Sequence, residues 1–324
     1  MKPTSLVLAV ALIAGAAGHA RAADLPTKAP AQAAPVPFFF VNDTQISYWH
    51  EFSAAEPGVG KNINKDITTV SHFDVWKYGT NFVNVDFLKS DNHDPAAPWG
   101  GLFYPLPPAG IGDGAIEVYG LFRSTLSFNS ISNSKTFSAG PLKDISLYFG
   151  ADGNTKNTAF APQKRDIVAG IQFAFNVPGG GYVNVAPVYY KEWNHNGIAA
   201  QLLAANFCPP TVCAENVNFD STFRLETNYM VPLSFLGPVR FSGWAQLTQP
   251  KGVDGFGNNT KAEFHTDDRL VLDVGKLAGD KPNWIDLFVG YSYWQNKFGV
   301  DHILDSTGGS TESTAYVGMS WHAL

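Results

Sequence analysis

Beyond its first 22 residues the sequence lacks any long apolar run. No later stretch approaches the roughly 18 consecutive apolar residues that a membrane helix needs. A helical anchor is therefore excluded for the body of the chain. Charge is scarce too: Lys, Arg, Asp and Glu make up 15% of the residues, where a soluble domain carries about 25%. The basic residues are the scarcer sign, 22 against 28 acidic. That balance leaves no basic face for a nucleic acid, which is excluded as a partner. Cysteine is nearly missing, with Cys208 and Cys213 alone, in FCPPTVC. Two thiolates without neighbouring ligands do not make a metal site, which takes about four donors. Neither metal nor cofactor is expected. The PGGG of residues 178–181 is a hairpin turn and not a phosphate cradle, because no helical pattern follows it.

What the chain does have is aromatic residues (14%), 31 glycines and a patterned body. It opens MKPTSLVLAVALIAGAAGHARA, with a basic Lys2, an apolar core from Leu6 to Gly18, and the small-x-small triplet Ala20-Arg21-Ala22. This reads as a signal peptide over residues 1–22, cleaved after Ala22. A Pro/Ala-rich lead-in follows over 23–37. Export places the two cysteines in an oxidising compartment, so a local Cys208–Cys213 disulfide is expected.

From 38 to 324 the residues alternate. In Glu117–Phe128, Val118, Phe122, Leu126 and Phe128 share one face, and Glu117, Tyr119, Arg123 and Thr125 the other. Period-two alternation marks a strand between two unlike environments. About twelve such segments are expected, near Val41–Phe52, Ile67–Trp76, Asn81–Lys89, Ala115–Phe128, Ile145–Asp152, Ile167–Phe175, Tyr182–Trp193, Phe219–Val231, Val239–Thr248, His265–Val274, Trp284–Trp294 and Thr314–His322. Short turns alternate with long polar loops, and an even strand count returns both ends of the chain to one side. No charge is expected in the middle of the apolar faces. Pro187 is expected at a bulge or a rim, since a closed sheet offers no free edge. The fold expected is a single transmembrane antiparallel up-and-down β-barrel in the bacterial outer membrane, with lipid as its outer partner. The competing fold is a β-sandwich with one wet face.

Three stretches carry a resemblance: KDITTVSHFDVWKYGTNFVNVDFLKSDNHDP (Lys65–Pro95), MVPLSFLGPVRFSGWAQ (Met230–Gln246) and LFVGYSYWQNKFG (Leu287–Gly299). They resemble the Tsx-type nucleoside-specific channel family of outer-membrane proteins. The resemblance implies a twelve-stranded barrel with a narrow pore that binds nucleosides through aromatic and polar contacts.

Parity gives the inward residues independently of any resemblance. The pore-lining candidates are Asn84, Asp86, Glu117, Tyr119, Arg123, Tyr148, Arg224, Glu226, Arg240, Trp244, Arg269, Asp273, Asp286 and Trp294, with Phe288 and Tyr316 on the same face. Twelve strands enclose a slot rather than a wide pore. Aromatic faces and hydrogen-bonding groups around a slot suit small, polar, planar solutes. The mixed inward charges suit internal ion pairs, because a ring of one sign would select ions. The expected function is a channel for nucleosides or similar small polar solutes. The alternatives are a structural or adhesive barrel with a plugged lumen and a rim hydrolase built on His265, Asp267, Asp268 and Arg269.

Overall fold

The computed structural model describes residues 37–57, 60, 62–94, 114–157, 163–279 and 281–323. The expected signal peptide and nearly all of the lead-in lie outside the described residues. Phe38–Leu324 form one compact unit.

That unit is a closed antiparallel barrel. Its strands are β1 (Phe39–Ala54), β2 (Ile63–Trp76), β3 (Gly79–Ser90), β4 (Ile116–Ser127), β5 (Leu142–Lys156), β6 (Gln163–Val177), β7 (Gly181–His195), β8 (Asn216–Asn218), β9 (Thr222–Pro232), β10 (Val239–Thr248), β11 (Glu263–Asp273), β12 (Ile285–Gln295) and β13 (Thr311–Ala323). Twelve of these are wall strands. The thirteenth, β8, is a three-residue addition beside the end of β7. Each wall strand pairs with its neighbour in sequence, β7 pairs with β9, and β1 pairs with β13, so no edge is left open. Closure is what excludes the sandwich, whose sheets would keep free edges.

Thr44 of β1 lies opposite Ala323 of β13, so the first and last strands begin and finish at the same end. We call it the near end. Connections there are tight: residues 77–78 join β2 to β3, 178–180 join β6 to β7, and 233–238 join β9 to β10. The β6–β7 turn needs Gly179 and Gly180, whose φ values of 83° and 89° suit glycine. Two short helices, α1 (Phe128–Ser132) and α3 (Val274–Leu277), fill the remaining near-end turns. At the far end the β7–β8 connection holds α2 (Gly197–Ala204), capped by the Asn196 side chain. The Cys208–Cys213 bridge closes a short loop just beyond it.

The outer wall is apolar. Phe223 is 47% exposed and Val289 55%, with Phe87, Leu147, Ile167, Leu270 and Met319 similarly open. Exposed aromatics mark both margins, Phe235, Trp284 and Trp321 near one end and Phe52, Tyr189 and Tyr291 toward the other. Two expectations need correction. Asp268 sits midway along β11, on the outer face, so the apolar wall is not free of charge. It accepts hydrogen bonds from the Tyr229 hydroxyl and, at 3.2 Å, from Thr266. The Tyr229 ring crosses Gly243 of β10 to reach it, and a Cβ there would collide with the ring's target, Asp268. Pro187 makes no bulge and stands at no rim. It lies mid-strand in unbroken register with Leu225 of β9. The missing N–H is accommodated on the other side, where the β6–β7 ladder lapses between Gly170↔Val188 and Phe173↔Val185 without a shift. Gly170 permits the close approach, since a Cβ there would overlap the Pro187 carbonyl.

Candidate functional site: the barrel lumen

The ladders place every pore-lining candidate on the inner wall, among the residues the barrel buries or half-buries. What these residues touch differs sharply from one part of the lumen to another.

A polar brace crosses the lumen from β4 to β9. Arg123 donates from Nε and Nη2 to the two Glu226 oxygens, both at 2.9 Å. Its other edge holds Asp152, which also accepts from the Tyr119 hydroxyl at 3.0 Å. Tyr148 donates to Glu226 at 2.7 Å. Arg224 donates to Thr248 at 2.8 Å and lays its guanidinium 3.6 Å from the centre of the Tyr190 ring. Arg123, Arg224, Glu226 and Asp152 are all buried. Ions removed from water this completely require partners on every side, and here they have them.

The brace divides the interior. On the side of β5, β6 and β7, Tyr148, Val168, Ala186, Val188 and Tyr190 form a solid apolar cluster. On the wider side Trp49, Ile67, Val271, Phe288 and Tyr316 form a second one. Arg269 caps it, 4.8 Å from the Trp49 and Phe288 ring centres, and holds Asp267 at 3.1 Å. Tyr316 donates to Asp267 at 2.5 Å, its ring lying over Gly290, where any Cβ would overlap it. Asn84, Asp86, Tyr119, Trp244 and Arg269 are half-buried, and because they point inward their free surface faces the lumen. These residues lie on the inner wall beside the two clusters.

At the far mouth an aromatic ladder leads inward. Phe298 meets Trp294 edge-on at 4.9 Å, Trp294 stacks on His265 at 4.2 Å and 4°, and His265 meets the Trp244 edge at 4.6 Å. The Trp294 indole N–H has no partner among the described residues. Beside the ladder Glu56, in the β1–β2 loop, gathers Lys65 at 3.0 Å, Lys156 at 3.6 Å and Lys297 at 3.7 Å. Burial alone would raise the Glu56 carboxyl. The positive charges of Lys297, Lys156 and Lys65 win and hold it well below the ordinary carboxylate range. Lys251, in the β10–β11 loop, bridges Glu192 at 2.6 Å and Glu263 at 2.8 Å. Burial would lower its ammonium, and the two carboxylates keep it above its usual range.

At the near end Arg240 pairs with Asp286, and His322 sits between Asp286 at 3.1 Å and Asp43 at 3.0 Å. Asp273 caps the first turn of α3, accepting from the Lys276 backbone N–H at 2.8 Å and from that of Asn283 at 2.9 Å. Its carboxylate is thus engaged in closing a turn. The hydrolase cluster does not assemble. Asp268 faces outward, Asp267 is held by Arg269 and Tyr316, and His265 has Ser292 at 3.4 Å with no carboxylate on its ring among the described residues.

Parity alone could have added Asp152, Asp166, Glu192 and Glu312 to the inner wall, since they alternate with apolar neighbours on their strands. Glu56, Lys251 and Lys297 left no such signal. They stand in loops, where period two stops.

No family model and no curated protein matches the chain. Among solved structures it is similar to the KdgM porin in complex with disordered oligogalacturonate, at 9% identity and a TM-score of 0.38, covering 86% of this chain and 98% of that one. It is also similar to the NanC porin, at 8% identity, a TM-score of 0.44 and the same coverages. A third is the Salmonella typhi outer membrane phospholipase dimer with bound calcium, at 9% identity, a TM-score of 0.42, and coverages of 86% and 90%. With TM-scores this low these likenesses add nothing to what the strand pairing establishes.

Proposed function

We propose that the protein is a narrow channel of the bacterial outer membrane, exported by its N-terminal signal segment, which passes nucleosides or similarly small, polar, planar solutes. The observation that carries this reading is the aromatic ladder at the far end, with Trp244 on the inner wall and only half-buried. A ring face offers stacking to a base or a sugar. The apolar outer wall with its aromatic margins supports the lipid setting. The family resemblance of the three sequence stretches supports the nucleoside as solute.

A second reading, a structural barrel with a filled lumen, is favoured by the Arg123–Glu226 brace and the two packed clusters. One experiment separates the two. The refolded barrel is inserted in planar bilayers and titrated with adenosine, thymidine and glucose. The channel reading expects single-channel conductance that nucleosides reduce and glucose does not, with the block weakened in Trp244→Ala. Absence of conductance would establish the filled barrel instead.

A further inference from the structure

We infer that the passage discriminates by charge, admitting cationic and neutral solutes and turning anions away. The inference deepens the channel reading and rests on it. Its ground is the distribution of partners over the whole inner wall. Every inward lysine and arginine of the described strands and mouth loops is matched to a carboxylate within 4.0 Å. The carboxylates are not all matched in return. Glu51 and Asp86 face the lumen on the wider side of the brace, and no lysine or arginine nitrogen of the described residues comes within 4.0 Å of either. Asp86 has neutral hydrogen-bond partners, the Thr69 hydroxyl and the Asn84 side chain. Several cations are also shared: Arg123 serves Asp152 and Glu226, Lys251 serves Glu192 and Glu263, and Lys156 serves Glu56 and Glu117. At the near end Arg240 is the arginine for Asp286, while Asp43 is met by His322 and, at 2.7 Å, by the Gln45 amide, with no lysine or arginine of the described residues within 4.0 Å. The sum is an inner wall with an excess of negative charge and, among the described strand residues, no inward lysine or arginine without a carboxylate.

The size of the effect follows from Coulomb's law. A monovalent ion passing about 7 Å from one unmatched carboxylate in water changes its energy by about RT, so cations gain over anions by roughly five- to tenfold at low salt. Screening shrinks this as the Debye length falls from about 10 Å at 0.1 M to about 3 Å at 1 M.

The test uses the full-length mature barrel at pH 8. In a KCl gradient across a planar bilayer the reversal potential should report potassium favoured over chloride several-fold, the preference falling as both sides are raised toward 1 M. In liposome swelling, glucose should enter faster than glucuronate. The double variant Glu51→Gln/Asp86→Asn, which keeps size and hydrogen-bonding atoms, should bring the potassium-to-chloride ratio toward one while conductance persists. Conductance with no charge preference, or with chloride and glucuronate favoured, would overturn the inference and leave the channel standing. A barrel with neither conductance nor swelling would overturn both.

Discussion

Replacing Glu226 by glutamine isolates the brace that crosses the lumen. The carboxylate takes two bonds from Arg123 at 2.9 Å and one from Tyr148 at 2.7 Å, with Arg224 at 3.5 Å. Glutamine keeps the shape and one acceptor oxygen but removes the charge, and its amide points two donors at donors. Arg123 retains Asp152, whereas Arg224 is left with Thr248 and the Tyr190 ring. Breaking a buried pair by removing one partner costs about 3–5 kcal/mol. Because Asp152 still compensates one arginine, the lower end, about 3 kcal/mol, is expected here. Taking a urea dependence of about 3 kcal/mol per molar, the top of the range for small domains, the midpoint should fall by about 1 M. The assay is equilibrium unfolding from lipid vesicles followed by tryptophan fluorescence. A cycle with Arg123→Leu should return a coupling of about 1–3 kcal/mol. A midpoint within about 0.2 M of the parent's, together with no coupling, would refute the claim that this pair holds the interior together.

Three further outcomes are expected. Glu56 is held well below its ordinary carboxyl range when folded, so the stability it lends is complete above its unfolded value of about 4.3 and is lost as pH falls through the folded one. Urea midpoints should therefore decline below about pH 4, and Glu56→Gln should remove part of that decline; parallel pH profiles for the two proteins would be contrary evidence. Gly290→Val should destabilise by about 1–3 kcal/mol, because its side chain must displace the Tyr316 ring that reaches Asp267; in the same unfolding assay an unchanged midpoint would count against that packing. Removing the Cys208–Cys213 bridge with Cys208→Ser/Cys213→Ser loosens a far-end loop beyond the wall strands. The barrel's unfolding free energy should stay within about 0.5 kcal/mol of the parent's, and only proteolysis of the loop should quicken.

The wall was legible in the sequence because a barrel strand repeats one rule. Every second residue meets the outer medium, so Val83, Val85 and Phe87 declared their face against Asn84 and Asp86 without help from any neighbour. The brace was not legible. Arg123 and Glu226 lie on strands separated by β5, β6 and β7, and only closure of the barrel brings them together. Pro187 misled for a related reason. Its missing N–H is harmful only if the partner strand needs it, and Gly170, opposite the adjoining Val188, lets the chains approach without that bond. Asp268 is hidden in the same way, because its tolerance depends on a tyrosine two strands away laid across Gly243.

Those same non-local contacts decide what the lumen can do. A chord between β4 and β9 leaves three strands on one side and seven on the other, and the small side closes completely around Tyr190, which is 0% exposed. The positive charges are spent in fastening that chord and the two mouths. Among the described residues the inward lysines and arginines of the wall are held in ion pairs, whereas Glu51 and Asp86 have no lysine or arginine nitrogen within 4.0 Å. In this barrel the inward residues that brace the wall and the inward carboxylates without a cation are members of one alternating pattern, separated by whether the fold supplies them with a charged partner.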